Sequence, residues 1–216
     1  MSSKEFSLEE QQVLEQIMML RRDVRGNHFL ANEVCDDDLN KILNAAIMAP
    51  SVGYSQPWEF VVIKDPLIKQ KVADNFVVEN KKAQALFDDK ERAKYANLKL
   101  EGITESPINI AVFYKQPSGP ILGQTSMVDM GEYSVVCAVQ NMWLMARALN
   151  IGIGWVSILN PDVVKRVLSA PKENKLVAYL CVGHVDEFLN KPELELLKWK
   201  ERRAMESVIH SDGYDN

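Results

Sequence analysis

The chain has 216 residues, 47% hydrophobic and 25% charged, with a formal net charge of −5. That length supports one domain with a sizeable core, and the negative balance argues against a general nucleic-acid binder, so any anion site must be local. The polar start, Met1–Glu5, carries no apolar signal core, and the most apolar run, 135–149, contains Gln140, Asn141 and Arg147. Neither reads as a signal or a membrane span, and three scattered cysteines without a CxxC pair fit a reduced, cytoplasmic protein.

Ser7-Leu8-Glu9-Glu10 is a capping-box signature and predicts a helix to about Leu20. Arg21-Arg22-Asp23-Val24-Arg25 follows directly. Guanidinium forks suit a phosphate dianion. An acid among them repels that anion, so Asp23 needs a separate reason to be there. Cations at a helix end also complement its dipole, and the residues alone leave both readings open. A second helix is expected from Asp36-Asp37-Asp38 through Leu39, Ile42, Leu43, Ala46 and Ile47, ended by Pro50. Pro50 to Pro57 is a loop whose Ser51, Ser55 and Gln56 can meet a polar heterocycle, while Trp58 reads as core.

Glu59–Lys64 reads as a strand, and 67–103 as helical, with Asp88-Asp89-Lys90 offering a break. Ile108–Tyr114 is a buried-type strand, and 116–126, rich in Pro and Gly, a loop. Val135–Leu149 is a helix buried on nearly every face and stopped by Gly152. It carries more apolar surface than one small sheet covers, so an isologous homodimer is expected. Ile153–Leu159 reads as a strand that buries Ser157. Asn160-Pro161 predicts an N-cap and a helix to about Ser169, and Leu176–Val185 another strand. From Phe188 onward the chain is polar, with a basic stretch at Lys198–Arg203. Helices and strands do not alternate strictly, so a mixed α+β sheet is expected, in a single domain over 1–216 with a C-terminal extension at 188–216.

Several motifs fail on inspection. Gly152-Ile153-Gly154 lacks the third glycine of a dinucleotide fingerprint and leads into a strand rather than out of one. No P-loop is present. His28, His184 and His210 stand alone, so no metal site is expected. Cys137 and Cys181 read as core thiols, and no serine has a hydrolase elbow.

Together these segments resemble the nitroreductase-like flavoproteins over roughly Leu14 to Ile209. The resemblance implies an α+β fold with a mixed central sheet flanked by helices, in an intertwined homodimer. It implies FMN with its phosphate and ribityl chain on Arg21, Arg22 and Arg25, joined by Lys200 and Arg202. Pro50, Ser51, Ser55 and Gln56 would contact the flavin across the dimer. Ser55 stands where that group often has Asn, and Arg203-Ala204-Met205 where Leu-Pro-Leu is more usual.

Asp23 itself and the runs Tyr95–Gly102, Tyr133–Leu144 and Gly152–Leu159 resemble one branch, the dimethylbenzimidazole synthases of the BluB family. That branch implies reduced FMN consumed as a substrate, with dioxygen as co-substrate. The products would be 5,6-dimethylbenzimidazole and erythrose 4-phosphate. Asp23 would then be a general acid/base, kept ionised by its arginines. Ser157 would hydrogen-bond the central ring nitrogen. A lid at about 80–103, with Leu98 against the flavin, would exclude water and hydride donors. A separate flavin reductase would supply reduced FMN, and neither nucleic acid nor membrane would be a partner. Two other readings share the phosphate site: an NAD(P)H-dependent nitroreductase or quinone reductase, and a non-catalytic flavin-binding protein.

Overall fold

The computed structural model describes residues 3–214, so Met1 and Ser2 of the polar start, and Asp215 and Asn216 of the extension, lie outside the described residues. Helix α1 (Leu8–Leu20) opens on a complete capping box: Ser7 Oγ accepts the Glu10 amide at 3.3 Å, and Glu10 accepts the Ser7 amide at 2.8 Å. It buries none of its residues, although Leu8, Val13, Leu14 and Met19 are among them. Helix α2 (Asp36–Ile47) starts on its three aspartates. Strand β1 (Trp58–Ile63) is followed by α3 (Pro66–Gln84) and α4 (Asp89–Tyr95). The break between those helices falls where Asp88 caps α4, accepting the Glu91 amide at 2.9 Å.

Strand β2 (Ile108–Tyr114) leads by a long loop to α5 (Met130–Ala148), β3 (Gly152–Val156), α6 (Pro161–Val167), β4 (Lys175–Gly183) and the short α7 (Glu193–Leu196). The strands lie in the order β1-β2-β4-β3, and every pairing among them is antiparallel. Only the bridge between Asp23 and Ile153 is parallel among the described residues, so the sheet is mixed through that contact alone.

Period-two alternation explains why β2 is apolar throughout. Ile108, Ile110 and Val112 face α2 and α5, with Ala178, Leu180 and Val182 of β4; Ala111 and Phe113 face α3 and α6, with Tyr179 and Cys181. Asn109 points to the second side and is buried, donating to Ile103 O at 2.9 Å and to the Tyr179 hydroxyl at 3.0 Å. Buried Lys69 donates to Ser106 O at 2.8 Å. These bonds fix the base of the 80–103 segment, where an unpaired backbone group would be costly.

Three expectations need correction. Helix α5 is stopped by Asn150, not Gly152: Asn150 is left-handed at φ 57°, its amide bonds Arg147 O at 3.1 Å and the Ile151 amide bonds Ala146 O at 2.8 Å. Gly152 is the first residue of β3. Strand β3 ends at Val156, so Ser157 is exposed beyond it rather than buried inside. The chain turns away there because the Asn160 amide is captured by Asn75 Oδ1 at 2.9 Å, and Asn160 caps α6. Cys137 is exposed on α5, whereas Cys181 is core. No helix among the described residues is long and apolar enough to cross a membrane.

Candidate active site

The Arg21–Arg25 stretch lies along β3 as a fragment of a further strand. The Val24 amide bonds Ile153 O at 3.0 Å, and Asp23 Oδ1 accepts the Trp155 amide at 2.9 Å. This approach requires Gly154: a Cβ built there would sit 2.1 Å from Val24 O, closer than real contacts allow. The glycine pair that fails as a dinucleotide fingerprint is therefore the seat on which Asp23 rests.

The other carboxylate oxygen of Asp23 pairs with Arg25 Nη2. Arg25 is only 12% exposed at its side chain, and Asp23 retains 33%, so the carboxylate still faces open space. Burial pushes the Asp23 pKa above the ordinary carboxylate value; Arg25, the Trp155 amide and Arg21 pull it back only in part, and Glu193 adds to the rise. Desolvation is the larger effect.

The arginines divide their work. Arg22 donates to Leu189 O at 2.8 Å, Asn190 O at 2.6 Å, Met19 O at 2.8 Å and Arg21 O at 2.7 Å. Its fork is taken up in clasping the C-terminal extension, and little of it remains for a ligand. Arg25 reaches the Leu100 and Trp155 carbonyls at 3.3 and 3.4 Å. Arg21 stacks over Trp143 at 4.9 Å, and Trp143 Nε1 donates to Arg22 O at 3.1 Å. Among the described residues, Arg21, Lys200 and Arg202 make no side-chain hydrogen bond or ion pair, and all three line one cleft of about 640 Å³ with Asp23 and Arg25. Glu193, Glu195 and Glu201 also reach its wall.

The 50–57 loop is elsewhere. It is pinned by one of its own serines and by α5: Ser51 Oγ accepts the Gln56 amide at 3.1 Å, and Ser134 Oγ accepts the Val52 amide at 3.0 Å. Gln56 is exposed with φ 45°. Ser55 and Gln56 line a separate cleft of about 480 Å³ against the 116–124 loop, and Pro50 is exposed beside them. The Ser55 hydroxyl is buried with no hydrogen-bond partner. Leu98 is half-buried in the segment after α4 and lines neither cleft, and Ser157 lies outside both. One chain therefore brings together Arg21, Arg22, Asp23, Arg25, Lys200 and Arg202, and leaves Pro50, Ser51, Ser55 and Gln56 apart. Sequence reasoning missed Gly154, the Trp155 amide and Trp143. The signal for the first two was a glycine at alternate positions entering a strand.

The sheet flanked by helices, with an arginine- and lysine-lined cleft at its β3 edge, is a nitroreductase-type fold, and the profile of the Nitroreductase family matches residues 18–184. The chain belongs to that family. Within it, the chain is 42% identical over 192 residues to a 5,6-dimethylbenzimidazole synthase of Rhodospirillum rubrum, spanning 88% of this chain and 90% of the relative. Among solved structures, oxidized iodotyrosine deiodinase bound to FMN and 3-iodo-L-tyrosine superimposes with a TM-score of 0.74 at 20% identity, over 93% of this chain and all of that one. A BluB-like flavoprotein from Clostridium difficile 630 gives 0.70 at 23% identity, over 93% and 99%. The structural likenesses establish the fold; the sequence likeness separates the branches.

Proposed function

We propose that this protein is a 5,6-dimethylbenzimidazole synthase. It consumes reduced FMN with dioxygen, releasing the benzimidazole and erythrose 4-phosphate. The observation that carries the reading is the Asp23 carboxylate, seated on Trp155 N–H and Arg25 yet still open to a basic cleft. The 42% identity to a synthase over most of both chains supports it.

The residues fit FMN as bound substrate. Arg21, Lys200 and Arg202, which make no side-chain hydrogen bond or ion pair among the described residues, offer donors for a phosphate dianion. The orphaned Ser55 hydroxyl is the kind of buried group that a ligand or a second chain satisfies. The isoalloxazine brings the redox-active ring system on which dioxygen acts. This chain's part is to hold the phosphate, present Asp23 to C–H and O–H bonds of the ribityl chain and shut out water with the 80–103 segment. A carboxyl whose pKa is raised can hold or release a proton closer to neutral pH than a free one. Arg22 would act indirectly, by fixing the extension that carries Lys200. Ser157, exposed at the end of β3, would reach the ring only when substrate and lid close over it, and Leu98 would close with them.

The second cleft is assigned to the partner protomer's flavin. A homodimer brings one chain's Ser51, Ser55 and Gln56 to the other's Arg21–Arg25, and covers the exposed apolar side chains of α1. Exposed free Cys35 and Cys137 support a reducing, cytoplasmic location, and a separate reductase would supply reduced FMN.

Aerobic incubation of the pure protein with chemically reduced FMN, followed by mass analysis of the small molecules, tests the reading. The benzimidazole and the tetrose phosphate are expected. Intact FMN there, with steady NAD(P)H consumption in a parallel assay supplied with NAD(P)H, would assign a reductase instead, and FMN unchanged with no turnover in either a binding protein. Light scattering should give twice the chain mass.

A further inference from the structure

The basic cleft and the lid segment meet at a side chain that belongs to neither. Helix α4 buries one residue, Tyr95, and the rest of the helix is exposed. Tyr95 is buried in a three-ring cluster: 5.1 Å from Phe87 and 6.3 Å from Trp199, with Phe87 and Trp199 5.5 Å apart and nearly perpendicular at 79°. The Tyr95 hydroxyl donates to Asn80 at 2.6 Å, which ties the cluster to α3. The tail supplies only Trp199 to this cluster, and Trp199 directly precedes Lys200, which lines the basic cleft.

The backbone ties those neighbours together. Helix α7 closes with the Lys198 amide on Glu195 O at 3.0 Å and the Trp199 amide on Leu194 O at 2.8 Å, with Lys198 left-handed at φ 55°. This paired closure fixes the chain direction at Trp199. Upstream, Arg22 holds Leu189 and Asn190. The tail is thus anchored before α7, folded over the cleft through Lys200 and Arg202, and plugged into the lid through Trp199.

We propose that Trp199 is a positioning residue that makes lid order depend on the phosphate of the substrate, a step that rests on the function proposed above. Phosphate drawn to Lys200 and Arg202 orders the tail; Trp199 transmits that order to Phe87 and Tyr95; the 85–100 segment then settles over the ring system. Riboflavin has the same rings and no phosphate. It occupies the ring site without ordering the lid, so selection for the phosphate acts on exclusion of water as well as on affinity.

Hydrogen exchange of the 85–100 segment in the full-length protein tests this, with saturating FMN or riboflavin. In the wild type FMN slows exchange roughly tenfold, an ordinary size for coupling between two sites, and riboflavin does not. In W199A, FMN still binds but the slowing is lost, and reduced FMN in air yields more hydrogen peroxide per benzimidazole formed. W199F retains a ring and restores both. Equal protection by riboflavin and FMN in the wild type overturns the proposal, as does full FMN-dependent protection in W199A. Should W199A not fold, K200A/R202A serves: FMN at saturating concentration is expected to leave its lid unprotected, and protection there is equally fatal. A wild type that makes no benzimidazole but shows FMN-specific protection sinks the synthase reading and leaves the coupling standing. Benzimidazole formed by a wild type whose lid ignores the phosphate sinks the coupling alone.

Discussion

The Arg21–Arg25 stretch and the Ser51–Gln56 loop were both expected to hold the flavin, yet one chain treats them in opposite ways. The first is braced by β3 through two backbone-directed hydrogen bonds and by Trp143. The second is held by its own Ser51 and by Ser134 of α5, and leaves a buried hydroxyl without a partner. A segment satisfied from within can carry a reactive group in fixed geometry before any ligand arrives. A segment left with an orphaned polar atom awaits something from outside the chain. On the proposed reading, catalysis belongs to the braced wall and assembly to the other.

The largest break in that contrast is at Asp23. Asp23→Asn keeps the acceptor for the Trp155 amide but cannot act as a base, so product formation should fall by about 10²–10⁴-fold while FMN binding persists. Measured turnover near the wild-type rate would remove Asp23 from the chemistry. The folded-state pKa of Asp23 is raised. Its ionised form therefore costs stability at pH values above that raised pKa, and the cost disappears as the carboxyl protonates in acid. Asp23→Asn should accordingly be no less stable than the wild type by thermal melt at neutral pH, with any gain fading as pH falls. The wild-type rate should rise with pH through a midpoint above the ordinary carboxylate value.

Gly154→Ala attacks the seat instead of the group. The added methyl meets Val24 O, so the 23–24 segment must lift. Both turnover and melting temperature should drop, the latter by several degrees, since about 1 kcal/mol corresponds to roughly 2–4 °C in a chain of this size.

Adjacent Arg21 and Arg22 sharpen the contrast further. Arg21→Ala should weaken FMN binding about tenfold or more, with marked salt dependence and little effect on riboflavin. Arg22→Ala should chiefly lower the melting temperature, because it frees the Leu189 and Asn190 carbonyls. Equal effects of the two on FMN affinity would refute this division. The smallest effect is expected at Ser55. Ser55→Ala removes an unsatisfied hydroxyl and should leave ligand-free stability unchanged or slightly higher. FMN affinity should fall about fivefold if the hydroxyl is used in the complex, as calorimetry can tell.

Much of the frame was legible because it follows from local rules. The capping box at Ser7, the Asp88 break, the Asn160 cap and the apolar run of β2 are each set by a few neighbouring residues. The misreadings came where long-range partners decide. Asn150 replaced Gly152 as the stop because an asparagine can also adopt the left-handed turn. Ser157 left its strand because a distant Asn75 captures the Asn160 amide. Cys137 sits on the side of α5 that one chain leaves open, and periodicity cannot say whether such a face is core or interface. The arginine cluster was legible as a local basic patch, but not its division of labour, since two of Arg22's carbonyl partners lie 167 and 168 positions away.

Helix α1 has a consequence for handling the protein. Thirteen residues with no buried side chain form a segment that is marginal in water by itself, and it runs straight into Arg21. If a second protomer supplies its missing cover, dilution to the point of dissociation would fray this helix and loosen the cleft beside it. Specific activity would then decline at the low enzyme concentrations typical of sensitive assays, and recover on adding inactive Asp23→Asn protein as a scaffold.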